Sequence, residues 1–72
     1  MNKYYITFGQ IHVHSRGGRT FDKDSLAVIE AETSEEAHKI AMDIFDGKFH
    51  NVHTEKQLPG IIEYFPRGVI KI

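Results

Sequence analysis

The sequence predicts an α+β fold of order ββαβ(β): a mainly antiparallel sheet with one helix packed on one of its faces. Three observations carry that prediction. The chain opens on an aromatic and β-branched run, Tyr4-Tyr5-Ile6-Thr7-Phe8, which has strand character. A second such run spans Ser25 to Glu32. It leads directly into an acidic helix start and an apolar stripe of helical period. One amphipathic helix and a few strands bury their apolar sides most simply as two layers.

In the first run, alternation puts Tyr4, Ile6 and Phe8 on one face. The apolar parity then shifts, because Ile11 and Val13 follow Gly9. A β-bulge at Gly9 would account for the shift. It predicts Ile11 and Val13 toward the core, with His12 and His14 together on the other face. Gly17-Gly18, flanked by Arg16 and Arg19, is a hairpin turn. The return strand begins near Arg19, is interrupted by Asp22-Lys23-Asp24, and resumes at Ser25.

Thr33-Ser34-Glu35-Glu36 has the form of a capping box, with Thr33 as N-cap and Glu36 three residues on. Ala37, Ile40, Ala41, Ile44 and Phe45 then recur on one helical stripe. Glu35 and Lys39 form an i, i+4 pair in the favourable order. Asp46-Gly47 ends the helix, with Gly47 suited to a left-handed cap. Residues 49–54 read as a short third strand and Pro59-Gly60 as a turn. Ile61 to Phe65 is either strand or irregular, Pro66-Arg67-Gly68 is a further turn, and Val69 to Ile72 is a final strand.

At 72 residues the chain is a single domain, 1–72, which buries only about 60% of the surface its unfolded form exposes. Domains of this size often rely on a disulfide, a metal or a partner subunit. The absence of cysteine removes the disulfide, the thiolate zinc site and the thiol nucleophile. No apolar run is long enough for a membrane span or a signal-peptide core, so the expected location is the cytoplasm. There is no phosphate-cradling loop and no metalloprotease helix motif, and the expectation is a non-enzyme.

The near-neutral net charge of −1 conceals an uneven distribution. Residues 1–23 carry +3 and residues 47–72 carry +2, whereas residues 24–46 carry seven acids against Lys39, a net of −6. Such a block repels nucleic acid and suits a basic protein groove, with Glu30, Glu35, Glu36 and Asp43 as the partner-binding candidates.

Five histidines are the remaining source of site chemistry. His12 and His14 on one strand face would lie about 6–7 Å apart at Cα, a spacing that serves one metal ion. A helix of the predicted length returns the chain to the hairpin end of the sheet, which brings His50 and His53 near. The candidate ligand set is His12, His14, His50 and His53 around a structural zinc, with Asp22 or Asp24 as alternative donors. Strand parity sends His50 and His53 to opposite sides unless the strand begins after residue 50.

The opening Tyr5-Ile6-Thr7-Phe8-Gly9-Gln10-Ile11-His12-Val13-His14 resembles that of a family of small phage and prophage proteins, whose pattern is an aromatic strand, Thr-Phe-Gly, two spacers and His-x-His. The resemblance continues through Ile29-Glu30-Ala31-Glu32-Thr33, Glu36-Ala37, Met42, Phe45, Gly47 and Lys48-Phe49, and on to Thr54-Glu55 and the tail from Gly68. Small phage proteins of this kind include anti-CRISPR proteins, and one type II-A inhibitor of similar character is a zinc metalloprotein. What the resemblance implies is binding to a bacterial type II CRISPR effector nuclease and a block of target DNA loading, with His12 and His14 as the first metal candidates. At positions 50 and 53 the family pattern has a small residue and an aromatic, so His50 and His53 are not carried by the resemblance. The alternative is a phage accessory or scaffold domain that self-associates through an open sheet edge, as a homodimer for instance, and holds no metal.

Overall fold

A computed structural model describes residues 1–71 and has the α+β architecture that the sequence predicts. The strands are β1 (Asn2–Thr7), β2 (His14–Arg16), β3 (Arg19–Phe21), β4 (Ser25–Ala31), β5 (Asn51–Thr54) and β6 (Gly68–Lys71). The helices are α1 (Ser34–Phe45) and the single turn α2 (Leu58–Ile61), which runs into a 3-10 turn at Ile62–Tyr64.

The main sheet has the order β5-β1-β4-β6. β1 pairs antiparallel with β4 and with β5, while β6 lies parallel to β4. The register places Tyr4 opposite Ile29, Ile6 opposite Ala27 and Val52, and Ile70 opposite Ala27. These side chains share one face, and α1 covers it with Ala37, Ala41 and Phe45, flanked by Ile40 and Ile44. All five residues of the apolar stripe therefore meet the core.

The helix starts as its sequence dictates. Thr33 is extended, and its Oγ1 accepts the Glu36 N–H at 3.1 Å. The helix ends at Asp46-Gly47 as expected, with Gly47 left-handed at φ 73° and its N–H donating to the Met42 carbonyl at 3.1 Å. Asp46 adopts the left-handed conformation at φ 54°, and its N–H is directed to the Met42 carbonyl. Thr33→Ala should lower stability by about 1 kcal/mol. For a domain of this size that is a melting temperature lower by roughly 4–8 °C. A loss within 1 °C would show that the cap hydroxyl is dispensable.

The segment after β1 departs from expectation. Gly9 takes φ +67°, but it ends the strand in a turn instead of bulging it. Ile11 and Val13, expected in the core, are 84% and 66% exposed. Their place is taken by the β2–β3 hairpin, which pairs His14 with Phe21 and lays both against the C-terminal end of α1. Phe8, Phe21 and Phe45 form a buried aromatic cluster with centroids 4.9–5.7 Å apart.

The second face of the sheet carries Tyr5, Thr7, Leu26 and Val28. Residues 55–67 cross it from the β5 edge to the β6 edge as a strap. Pro59, read as part of a loop turn, occupies the first turn of α2, where its missing N–H costs nothing. Ile61 to Tyr64 is thereby helical, with no strand among these residues. The strap is held at its far end by Arg67, whose backbone N–H donates to the Asp24 carbonyl at 2.9 Å. The Arg67 guanidinium reaches the Thr20 carbonyl at 3.0 Å and Asp22 Oδ2 at 2.9 Å. Ile72, the last residue of the predicted final strand, lies outside the described residues. Among the described residues no helix is long and apolar enough to cross a membrane.

Candidate functional site

The four candidate metal ligands occupy three surroundings. His14 sits on the α1 face with its ring 5.0 Å from Phe45 and 5.7 Å from Phe8. Its Nε2 donates to the Lys48 carbonyl at 2.6 Å. A carbonyl only accepts, so Nε2 carries the proton, and Nδ1 alone retains a lone pair. His12 is half-buried in the turn before β2. The expected His12–His14 pairing on one strand face fails because the strand ends before either residue.

His50 and His53 do come together. β5 begins at Asn51, which is the condition under which both histidines reach one side. The His50 N–H donates to the Thr7 carbonyl at 2.7 Å just before the strand proper. His53 lies opposite Tyr5 and faces away from α1. Gly9 packs against the His50 side chain, and its φ of +67° is what favours glycine there, since a Cβ at position 9 would only make ordinary contact at 3.4 Å from His50 Cβ. His50 and His53 line a cleft of about 350 Å³ between the sheet and the strap, with Gln10, Lys23, Tyr64 and Phe65 also on its walls.

Asp22 and Asp24 have structural work. Asp22 Oδ1 accepts the Asp24 N–H at 3.0 Å, and its Oδ2 takes Arg67. Ser25, fully buried, closes the same turn by accepting the Asp22 N–H on Oγ at 3.0 Å. Asp24 meets Lys23 in an exposed pair at 3.4 Å. Among the described residues no three His, Cys, Asp or Glu side chains gather as a group able to hold a metal ion. His14 engaged from one side of the sheet and His50 with His53 on the other do not make one coordination shell.

The acidic candidates divide in the same way. Glu35, Glu36 and Asp43 lie on α1 away from Ala37, Ala41 and Phe45, so they form its solvent side. Asp46 continues that side, and Lys39 interrupts it. Glu30 is on the second sheet face, opposite Lys3 in the register. It lines a shallow groove of about 430 Å³ with Lys3 and Lys71, whose charges offset its own. Sequence proximity put Glu30 in the acidic block, and strand alternation takes it out.

Arg67 was missed by sequence reasoning, although it joins the strap to the hairpin base. Its partner Asp22 is 45 residues away, and no local pattern signals the pair. No protein-family model matches the chain, and neither a curated protein nor a solved structure matches it.

Proposed function

We propose that the chain is a small binding domain that inhibits a bacterial defence protein by laying the acidic side of α1 in a basic groove. The observation that carries this reading is the rigid, N-capped presentation of Glu35, Glu36 and Asp43 on the solvent side of one helix. Three carboxylates at fixed spacing on a preorganised helix lose little conformational freedom when they meet lysines and arginines. The resemblance of the opening segment to small phage proteins directs the choice of partner to a type II CRISPR effector nuclease, whose nucleic-acid channel is basic. The mode of action is competition with target DNA for that channel, without catalysis.

The test is cleavage of a labelled target duplex by the guide-loaded nuclease with increasing amounts of the protein. Inhibition should follow loss of duplex binding in a mobility-shift assay. The triple variant Glu35→Gln, Glu36→Gln and Asp43→Asn should need at least about tenfold more protein for the same inhibition, a loss of about 1.4 kcal/mol. Neutral replacements avoid placing cations at the positive end of the helix dipole. Complete cleavage at saturating protein would overturn the choice of partner. Equal potency of the triple variant would overturn the interface.

A further inference from the structure

The cleft between the strap and the second sheet face combines two imidazoles with a lysine. His50 reaches it from just before β5 and His53 from within that strand, and Lys23 reaches it from the turn before β4. No carboxylate is among the described residues that line it. With the Lys23 ammonium and imidazole N–H donors on its walls, the lining suits a negative ligand. Lys23 also touches Asp24, but that pair is exposed on both sides, with side-chain accessibilities of 54% and 38%. Exposed pairs are held weakly, so the ammonium can turn to an anion without a large loss. Ile61 and Phe65 contribute an apolar wall, and the Tyr64 ring, 69% exposed, stands at the rim. The volume of about 350 Å³ is at the lower end of the range for small-molecule sites.

We propose that this cleft binds a small organic anion, a carboxylate or phosphate group carried on a flat apolar body. The anionic group is held by His50, His53 and Lys23, and the body rests on Ile61 and Phe65. The imidazole N–H groups and the ammonium are all donors suited to anionic oxygens. The elements that hold them are already fixed. His50 is tied to Thr7 through its backbone and stands against Gly9. The cleft is on the side of the sheet opposite α1, so the proposal does not depend on the acidic helix being an interface.

The experiment is an NMR titration of the isotope-labelled full chain with phenyl phosphate and with benzoate, against benzyl alcohol as a neutral probe of the same shape. Saturable shifts confined to Gln10, His50, His53, Ile61 and Phe65 are expected with the anions. Response to both anions marks a general anionic site, and response to one identifies the group preferred. His53→Ala and Lys23→Ala, each checked for an unchanged melting curve, should weaken the response at least about tenfold, the scale of a charge-assisted hydrogen bond. Shifts that stay linear, that are equal with benzyl alcohol, or that persist undiminished in Lys23→Ala would overturn the proposal. Lys23 is exposed, so that variant remains informative if His53→Ala perturbs β5.

Discussion

Phe45→Ala should unfold most of the protein at 37 °C. Phe45 is only 1% exposed and is the residue of α1 that joins three separate parts of the chain. It meets Phe8 after β1 edge-on at 4.9 Å, Phe21 of β3 at 5.6 Å and His14 of β2 at 5.0 Å. Truncating a buried Phe costs about 3–5 kcal/mol, from lost transfer energy and the cavity left behind. Edge-to-face aromatic pairs add about 0.5–1.5 kcal/mol each beyond their area. A single core of this size supplies only about 3–5 kcal/mol in total. The loss is as large as the reserve, and no disulfide limits the unfolded chain. Circular dichroism with a urea titration should show no folded baseline for Phe45→Ala, and a cooperative but lowered transition for Phe45→Leu, which keeps most of the volume. A cooperative transition for Phe45→Ala within 1 kcal/mol of the parent would show that the hairpin and helix are not held through this cluster.

That cluster also marks where the sequence stopped being legible. The helix was readable because its signals are local and agree: a cap at Thr33, five apolar residues at helical spacing, and a stop at Asp46-Gly47. β1 and β4 were readable for the same reason, and their antiparallel pairing follows from a hairpin between them. Gly9 was ambiguous in a way local rules do not resolve. A left-handed glycine serves a bulge and a strand end equally, and the two choices send every following side chain to opposite faces. The choice is made by the fit of Phe21 and His14 on Phe45, contacts 24 and 31 residues apart in the chain. Ile11 and Val13 face outward and His14 inward as a result. The pairing of His50 with His53 was readable only as a condition, that β5 begin at Asn51, because strand onset depends on the partner β1 ending at Thr7. The strap was unreadable as a helix, since Leu58-Pro59-Gly60-Ile61 has weak helical propensity and gains its conformation by lying on the sheet.

The second large effect belongs to Asp22, a residue whose type suggested a metal ligand. Its carboxylate performs two separable tasks: Oδ1 caps the turn before β4 at the Asp24 N–H, and Oδ2 holds Arg67 at 2.9 Å. Asp22→Ala removes both and should cost about 2 kcal/mol, within the range for hydrogen bonds to a charged group. The Arg67 side chain is 41% exposed and that of Asp22 26%, so solvent competes for the ion pair and its share should be no more than about 1 kcal/mol. Asp22→Asn retains an oxygen for the turn but loses the charge, and should fall between Asp22→Ala and the parent. A double-mutant cycle with Arg67→Ala isolates the clasp from the turn. Its coupling should be positive, at about 0.5–1 kcal/mol, in urea unfolding. Because Arg67 follows Tyr64 and Phe65 by three and two residues, loosening it frees the wall of the His50–His53 cleft before it frees the sheet. Amide exchange at Tyr64 and Phe65 should therefore quicken in Arg67→Ala more than exchange at Ile6 or Ala27, which lie in the paired centre of the sheet. Uniform acceleration across all four positions would mean that the clasp stabilises the whole domain equally and that the strap has no independent motion.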